Sequence, residues 1–377
     1  MKRYIWVISI LISIFLCACE QPEEKPVVEA GPIAHYSLDK SLSDTFEKHN
    51  LIPYGDMSFN IGGLSGNSLF LNGGYLTIGN CEKLNLFTDF TYSTWININD
   101  FTSYNPILFG NESRAGDIAG GPVSIYFNDR YTTLQCDLTF ETYNKEYISH
   151  SFIAKNVTNR DILKKQWRHI AVTLEGTVLK MYLDGNKIYD QALPDDFGKF
   201  KSIAMNSKPY TIGRSIYSNF NGSFDDILLY NYALSEERIK NIYNDKLSSY
   251  KNLVTFKKDS TDIVVNLQTV PLSAPITENY DGGIVIVPVK TFCDAIGATC
   301  EWFEKDGLGR FDIKHNNHSS SFWILNSNAS INGMHTKIDP YPKMIDDTAY
   351  VSLTVFAESI GGIILYNPAI ETYNLYF

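Results

Sequence analysis

From Ile33 to about Asn244 the chain consists of short runs rich in Thr, Ile, Val, Tyr and Phe, each closed by Gly, Asn or Asp. That punctuation favours antiparallel sheet over any helical arrangement. Three stretches carry the reading. FTYSTWINI (Phe90 to Ile98) alternates Phe90, Tyr92, Ile96 and Ile98 with Thr91, Ser93, Trp95 and Asn97, the period of a strand covered on at least one face. In WRHIAVTLEGTVLKMYL (Trp167 to Leu183) two strand-like runs flank Glu175 and Gly176, and Asp184 with Gly185 forms the next hairpin turn. FNGSFDDILLY (Phe220 to Tyr230) is a further strand. A short helix follows over Ser235 to Tyr243, where Ser235 caps the N-terminus and Ile239, Ile242 and Tyr243 share a face. The expectation is a mainly β protein with a β-sandwich as its larger part.

The last third has a different pattern. After a polar stretch from Asn252 to Asp262, VPVKTFCDAIGATCEW (Val287 to Trp302) aligns with VSLTVFAESIGGIILY (Val351 to Tyr366) at a constant offset of 64 residues. Each copy reads as a strand, a short helix (Phe292, Ala295, Ile296; Phe356, Ser359, Ile360), a glycine stop at Gly297 or Gly361, and another strand. A small α+β domain made of two repeats results, and 377 residues are enough for two domains each with its own core.

The N-terminus, MKRYIWVISILISIFLCAC, joins a basic start to an apolar run from Tyr4 to Leu16 broken only by Ser9 and Ser13. The run is short of the ~20 residues a membrane helix needs, so it reads as a secretory signal. Its ending, LCAC, resembles the lipobox of bacterial lipoproteins, with Leu16 and Ala18 in place, Cys17 a mild departure, and Cys19 as the residue that would receive lipid. An ordinary cleaved signal is the alternative. On the lipoprotein reading residues 1–18 are the signal peptide. Residues 19–32 are then the lipidated cysteine and a proline-rich charged spacer, EQPEEKPVVEAGP, whose acyl chains hold the protein at a membrane of the cell envelope or surface.

Motifs of the first domain, WRHIAVTLEGTVLKMYLDGNKI, YTIGR and GSFDDILLYNYALSEERIKNIY, with the opening HYSLDKSLSD, resemble laminin G-like, concanavalin A-like jelly rolls. The resemblance implies such a sandwich over residues 33–246. The repeat, with IDPYPKMIDDTAYVSL between its copies, is similar to the copper amine oxidase N-terminal-like domain and implies it over residues 251–377, with Ser352 where proline is usual.

Catalytic chemistry is hard to find in the residues. TENYD (Thr277 to Asp281) superficially resembles a quinone-cofactor motif but is one residue short between Thr and Asn, and His315 and His318 in KHNNH read as a turn between strands. No ExDxxE pair, HExxH, GxSxG or phosphate loop occurs, and Asp225 and Asp226, adjacent on a strand, are expected on opposite faces. The formal charge of −10, near −12 without Lys2 and Arg3, argues against a nucleic-acid partner. Cys81, Cys136, Cys293 and Cys300 form no CxxC pair. In an exported compartment they are either disulfides, Cys81 with Cys136 and Cys293 with Cys300 keeping each bond within a domain, or buried thiols.

What remains is binding. Asp39 or Asp44 with Asp225 or Asp226 would form a structural calcium site if the first and last strands of the jelly roll are neighbours, as the laminin G-like resemblance implies. Aromatics in polar, turn-rich stretches, Tyr104, Tyr143, Tyr217 and Phe220, with Arg214 and Asn219 nearby, are candidates for stacking on sugar rings. The expected function is therefore a non-catalytic binding lipoprotein that recognises carbohydrate or envelope glycan. The alternatives are a protein-binding adhesin or scaffold, and behind it a glycoside hydrolase or oxidase. A concave jelly-roll face filled and capped by the final domain, rather than an open aromatic groove, would disfavour the lectin reading.

Overall fold

The computed structural model describes residues 30–377, except 65, 81–83, 85, 87, 102–106, 112–121, 159–162, 205–207, 215–218, 280–282, 306–307 and 368–369. Cys19, Cys81, Tyr104 and Tyr217 lie outside the described residues. No helix among the described residues is long and apolar enough to cross a membrane.

Strand alternation in the first part resolves into two eight-stranded sheets whose inward side chains make one core. The first sheet runs in the order Asn186–Ala192, Val178–Leu183, Trp167–Glu175, Phe90–Asp100, Asn221–Tyr230, Gly66–Asn72, Met57–Gly63, with Ala34–Tyr36 paired to Asn221–Tyr230. The second runs Tyr147–Ala154, Thr133–Thr142, Val123–Asn128, Ile107–Gly110, Thr211–Ile212, Tyr75–Ile78, Leu51–Tyr54, with Phe200–Ile203 paired to Thr133–Thr142. Phe90, Tyr92, Ile96 and Ile98 are buried between the sheets as their alternation requires.

Trp95 and Trp167, on the opposite face of the first sheet, are buried as well, and the reason lies elsewhere in the chain. A helix, α1 (Glu236–Leu247), capped by Ser235 through the Arg238 N–H, and the strand Ile363–Asn367 cover that face. Leu64, Trp95 and Trp167 pack there against Leu247, Ile363 and Leu365. Arg168, 2% exposed, spans the same contact: its guanidinium donates to Asp184 Oδ2 (2.5 Å) and to the carbonyl of Tyr366 (3.0 Å). Pro32–Phe377 is accordingly one compact unit containing two large cores, one from Ala34 to Leu229 and one from Val254 to Leu375.

In the second core each repeat has the expected strand-helix-strand form. The strand Val285–Pro288 leads into α2 (Val289–Ile296) and then Thr299–Lys305, while Thr348–Ser352 leads into α3 (Leu353–Ser359) and then Ile363–Asn367. Equivalent residues meet one another: Val287 pairs with Val351, and the Phe292 and Phe356 rings touch edge to face at 5.1 Å. A local two-fold axis therefore passes between the copies. Ser352, at the position of Pro288, caps α3 by accepting the Val355 N–H at 3.2 Å, whereas Pro288 gives α2 no side-chain cap. The domain is richer in strand than a pure α+β repeat, because segments outside the repeat extend the repeat strands into three antiparallel sheets around the two short helices. One of these is a five-stranded meander, Thr299–Lys305, Leu308–His315, His318–Trp323, Asn328–Ile331, Met334–Lys337.

Candidate functional site

The second sheet carries the candidate residues near one edge of its outer face. Leu51–Tyr54 pairs with Tyr75–Ile78 so that Tyr54 stands opposite Tyr75. Alternation sends Leu76 and Ile78 into the core and Tyr75 outward. The two rings stack at 4.9 Å and 8°, and the Arg214 guanidinium lies 4.4 Å from the centre of Tyr75. Tyr54 is 44% exposed. Gly213, at φ +80°, turns the chain sharply after Thr211–Ile212, and a Cβ there would strike Leu71. Just beyond it, Arg214 bridges to Ile107 and Asn219, and Asn219 donates to the Gly73 carbonyl at 2.6 Å.

Farther along the same sheet the outward groups are polar and mutually fixed. Tyr126 OH donates to Asp137 Oδ2 (2.7 Å), Gln135 to Asp137 Oδ1 (2.8 Å) and Asn128 to Gln135 (2.9 Å), while Thr139 and Ser149 share a bond of 2.9 Å. Gln135 and Thr139 are buried there, so these groups satisfy one another within the protein rather than facing a ligand.

Of the candidates from the sequence, the structure joins Arg214 and Asn219 and separates the rest. Phe220 corrects the expectation: it is 1% exposed, 4.6 Å from Phe224, and part of the sandwich core, so its ring is closed to ligand. Its polar neighbours disguised an inward position. Tyr143 is 71% exposed at the tip between Thr133–Thr142 and Tyr147–Ala154, on the opposite edge of the sheet from Tyr54. Tyr54 and Tyr75 are the residues that sequence reasoning missed. Each sits in an apolar strand run, and only the register sets them face to face.

The aspartates are engaged with protein groups. Asp44 accepts the N–H groups of His35 (3.0 Å), Lys48 (3.1 Å) and His49 (3.3 Å), and Asp39 accepts that of Asn67 (3.1 Å). Asp225 and Asp226 do not point to opposite faces, because the strand bulges there and Asp226 takes φ 43°. Both carboxylates thereby face the field of Lys246. Asp225, 1% exposed, accepts the Leu64 N–H at 2.8 Å. Burial pushes its carboxyl up to about 8 against the pull of Lys246 and the Leu64 N–H, with the Asp226 charge adding to the rise. Burial acts the same way on Asp226, but His35 at 3.1 Å and Lys246 hold it below the ordinary carboxylate range. The calcium expectation for Asp39, Asp44, Asp225 and Asp226 is thereby corrected: Lys246 and His35 engage Asp226, and backbone N–H groups engage Asp39, Asp44 and Asp225. Among the described residues no three His, Cys, Asp or Glu gather as a metal site. Cys136, Cys293 and Cys300 are free thiols.

Solved structures of related shape include domain 4 of AbnA, an extracellular GH43 arabinanase of Geobacillus stearothermophilus, in complex with arabinotriose. It is 19% identical, covers 57% of this chain and 99% of its own, and has a TM-score of 0.44. The binding domain of Paraclostridial mosquitocidal protein 1 is 13% identical over 85% of this chain and 91% of its own, with a TM-score of 0.48. The binding domain of botulinum neurotoxin DC, in complex with rat synaptotagmin II, is 14% identical over 92% and 85%, with a TM-score of 0.47. By family, residues 70–240 match the concanavalin A-like lectin/glucanases superfamily, and residues 264–375 match the copper amine oxidase N-terminal domain.

Proposed function

We propose that this chain is a surface-anchored, non-catalytic binding lipoprotein that recognises carbohydrate or envelope glycan through the jelly roll. The observation that carries the reading is the Tyr54–Tyr75 stack with Arg214 over it, an accessible aromatic surface next to fixed polar groups in a lectin-type sandwich. Sugar rings present C–H faces to aromatics and hydroxyls to amides and guanidinium, so this combination suits them. The sequence around Cys19 supports attachment by acyl chains, which leaves residues 30 onward displayed from the membrane.

A glycan array probed with the full chain tests the binding role. Binding that is lost in Tyr75→Ala and Arg214→Ala supports it; binding unchanged in both variants removes this platform from consideration. Capture of a protein with no glycan bound would instead favour an adhesin or scaffold, the reading supported by Tyr143 and Tyr147, which are 71% and 47% exposed on one hairpin. For the anchor, mass spectrometry of the mature N-terminus is decisive. An acylated peptide beginning at Cys19 is expected, and an unmodified start elsewhere would refute lipidation.

A further inference from the structure

The five-stranded meander of the second domain buries one face and exposes the other. Phe311, Ile313, Phe322, Ala329 and Ile331 enter the core, so the residues alternating with them form the outer surface. On that surface one row crosses all five strands. Phe303 pairs with Arg310, Arg310 with Trp323, and Asn328 with Lys337, and carrying the Phe322–Ala329 register one residue further sets Asn328 opposite Trp323. Four strand spacings make the row about 19 Å long.

The row is built rather than incidental. The Arg310 guanidinium lies 5.4 Å from the centres of both the Phe303 and Trp323 rings. It is held there by two bonds to Asp312, of 2.8 and 2.6 Å, and one to Ser321 of 3.2 Å. Phe303 is 46% exposed. Beside Trp323 a groove of about 470 Å³ opens, lined by Asn326, Asn328, His335 and Lys337, within the size range of small-ligand sites.

We propose that this stripe is a second binding site, for an extended oligosaccharide whose ring faces lie on Phe303 and Trp323 and whose hydroxyls meet Asn328, His335 and Lys337. A protein hot spot would centre on a desolvated apolar patch. Here the adjacent row, Asp312, Ser321, Ser330 and His335, is polar throughout, which suits a hydroxyl-rich chain. Because Asp312 is spent on Arg310, Lys337 leaves the groove positive in an acidic protein, so a sugar bearing a carboxylate is favoured. The site does not depend on the jelly-roll platform.

Titration of the full chain with cellohexaose, chitohexaose and hexagalacturonate, followed by calorimetry, tests the assignment. At least one hexamer is expected to bind, hexagalacturonate most tightly, with affinity about tenfold lower in Trp323→Ala and Phe303→Ala. Lys337→Ala, an exposed change that leaves the core untouched, should weaken hexagalacturonate selectively. Tyr75→Ala serves as the control for the jelly roll and should leave stripe binding unaltered. If none of the hexamers binds, or if Trp323→Ala and Lys337→Ala bind as the wild type does while Tyr75→Ala does not, the stripe is not a saccharide site.

Discussion

Asp225 gives the most quantitative expectation. Its carboxyl is 1% exposed, its ordinary value of 3.8 is raised to about 8 in the folded chain, and burial is the main cause. Between those values the folded protein holds a proton that the unfolded chain has released. The associated stability is therefore complete below pH 3.8 and is lost progressively until the pH passes about 8. The slope is about 1.4 kcal/mol per pH unit, so roughly three units, from about pH 4.5 to about 7.5, remove about 4 kcal/mol. Asp225→Asn keeps an oxygen for the Leu64 N–H and abolishes the titration. Guanidinium unfolding of both proteins across that window, taken as a difference, cancels all other titrating groups not coupled to the site. The difference should move in favour of Asn by about 4 kcal/mol as pH rises. A difference independent of pH would show that Lys246 keeps Asp225 ionised throughout and would refute the reasoning.

Three further outcomes follow from the geometry. Arg168→Ala strands Asp184 and the Tyr366 carbonyl at a covered contact, and should cost about 3–5 kcal/mol, read as a lower denaturation midpoint; a loss under 1 kcal/mol would mean the pair carries little. Ser352→Ala removes the α3 cap and should cost about 1 kcal/mol in the same assay; an unchanged midpoint would assign that N–H another acceptor. Among the described cysteines Cys300 should react first toward an alkylating reagent, since the neighbouring Cys293 thiol donates to it and lowers its proton affinity, while burial raises that of Cys136 and keeps it inert until unfolding. Early labelling of Cys136 would contradict its burial.

The large outlines were legible because they depend on short-range patterns. Alternation in FTYSTWINI, the Asp184–Gly185 turn, the Ser235 cap and the two glycine stops are each decided within a few residues. The cover over Trp95 was not, since it comes from Leu247, Ile363 and Leu365, far along the chain. The bulge at Asp226 was likewise hidden: alternation assumes an unbroken ladder, and one residue at positive φ reverses the inference about which way two adjacent carboxylates point.

The candidate sites expose the same limit more sharply. Polar turns were the natural place to look for ligand aromatics, because aromatics in strand runs usually fill cores. Yet the aromatic surfaces of this protein arise on strands, where Tyr54 meets Tyr75, and Phe303 and Trp323 enclose Arg310. Each of those residues occupies an ordinary outward position, and what makes it part of a surface is its cross-strand partner. A one-residue slip in either ladder would turn one ring of each set inward and dissolve the surface without altering composition or turn chemistry. Pairing register is therefore the level at which any binding specificity of this chain must be encoded. An insertion within Leu51–Tyr54, which shifts its register against Tyr75–Ile78, should abolish the binding proposed for this pair even though every contact residue is retained.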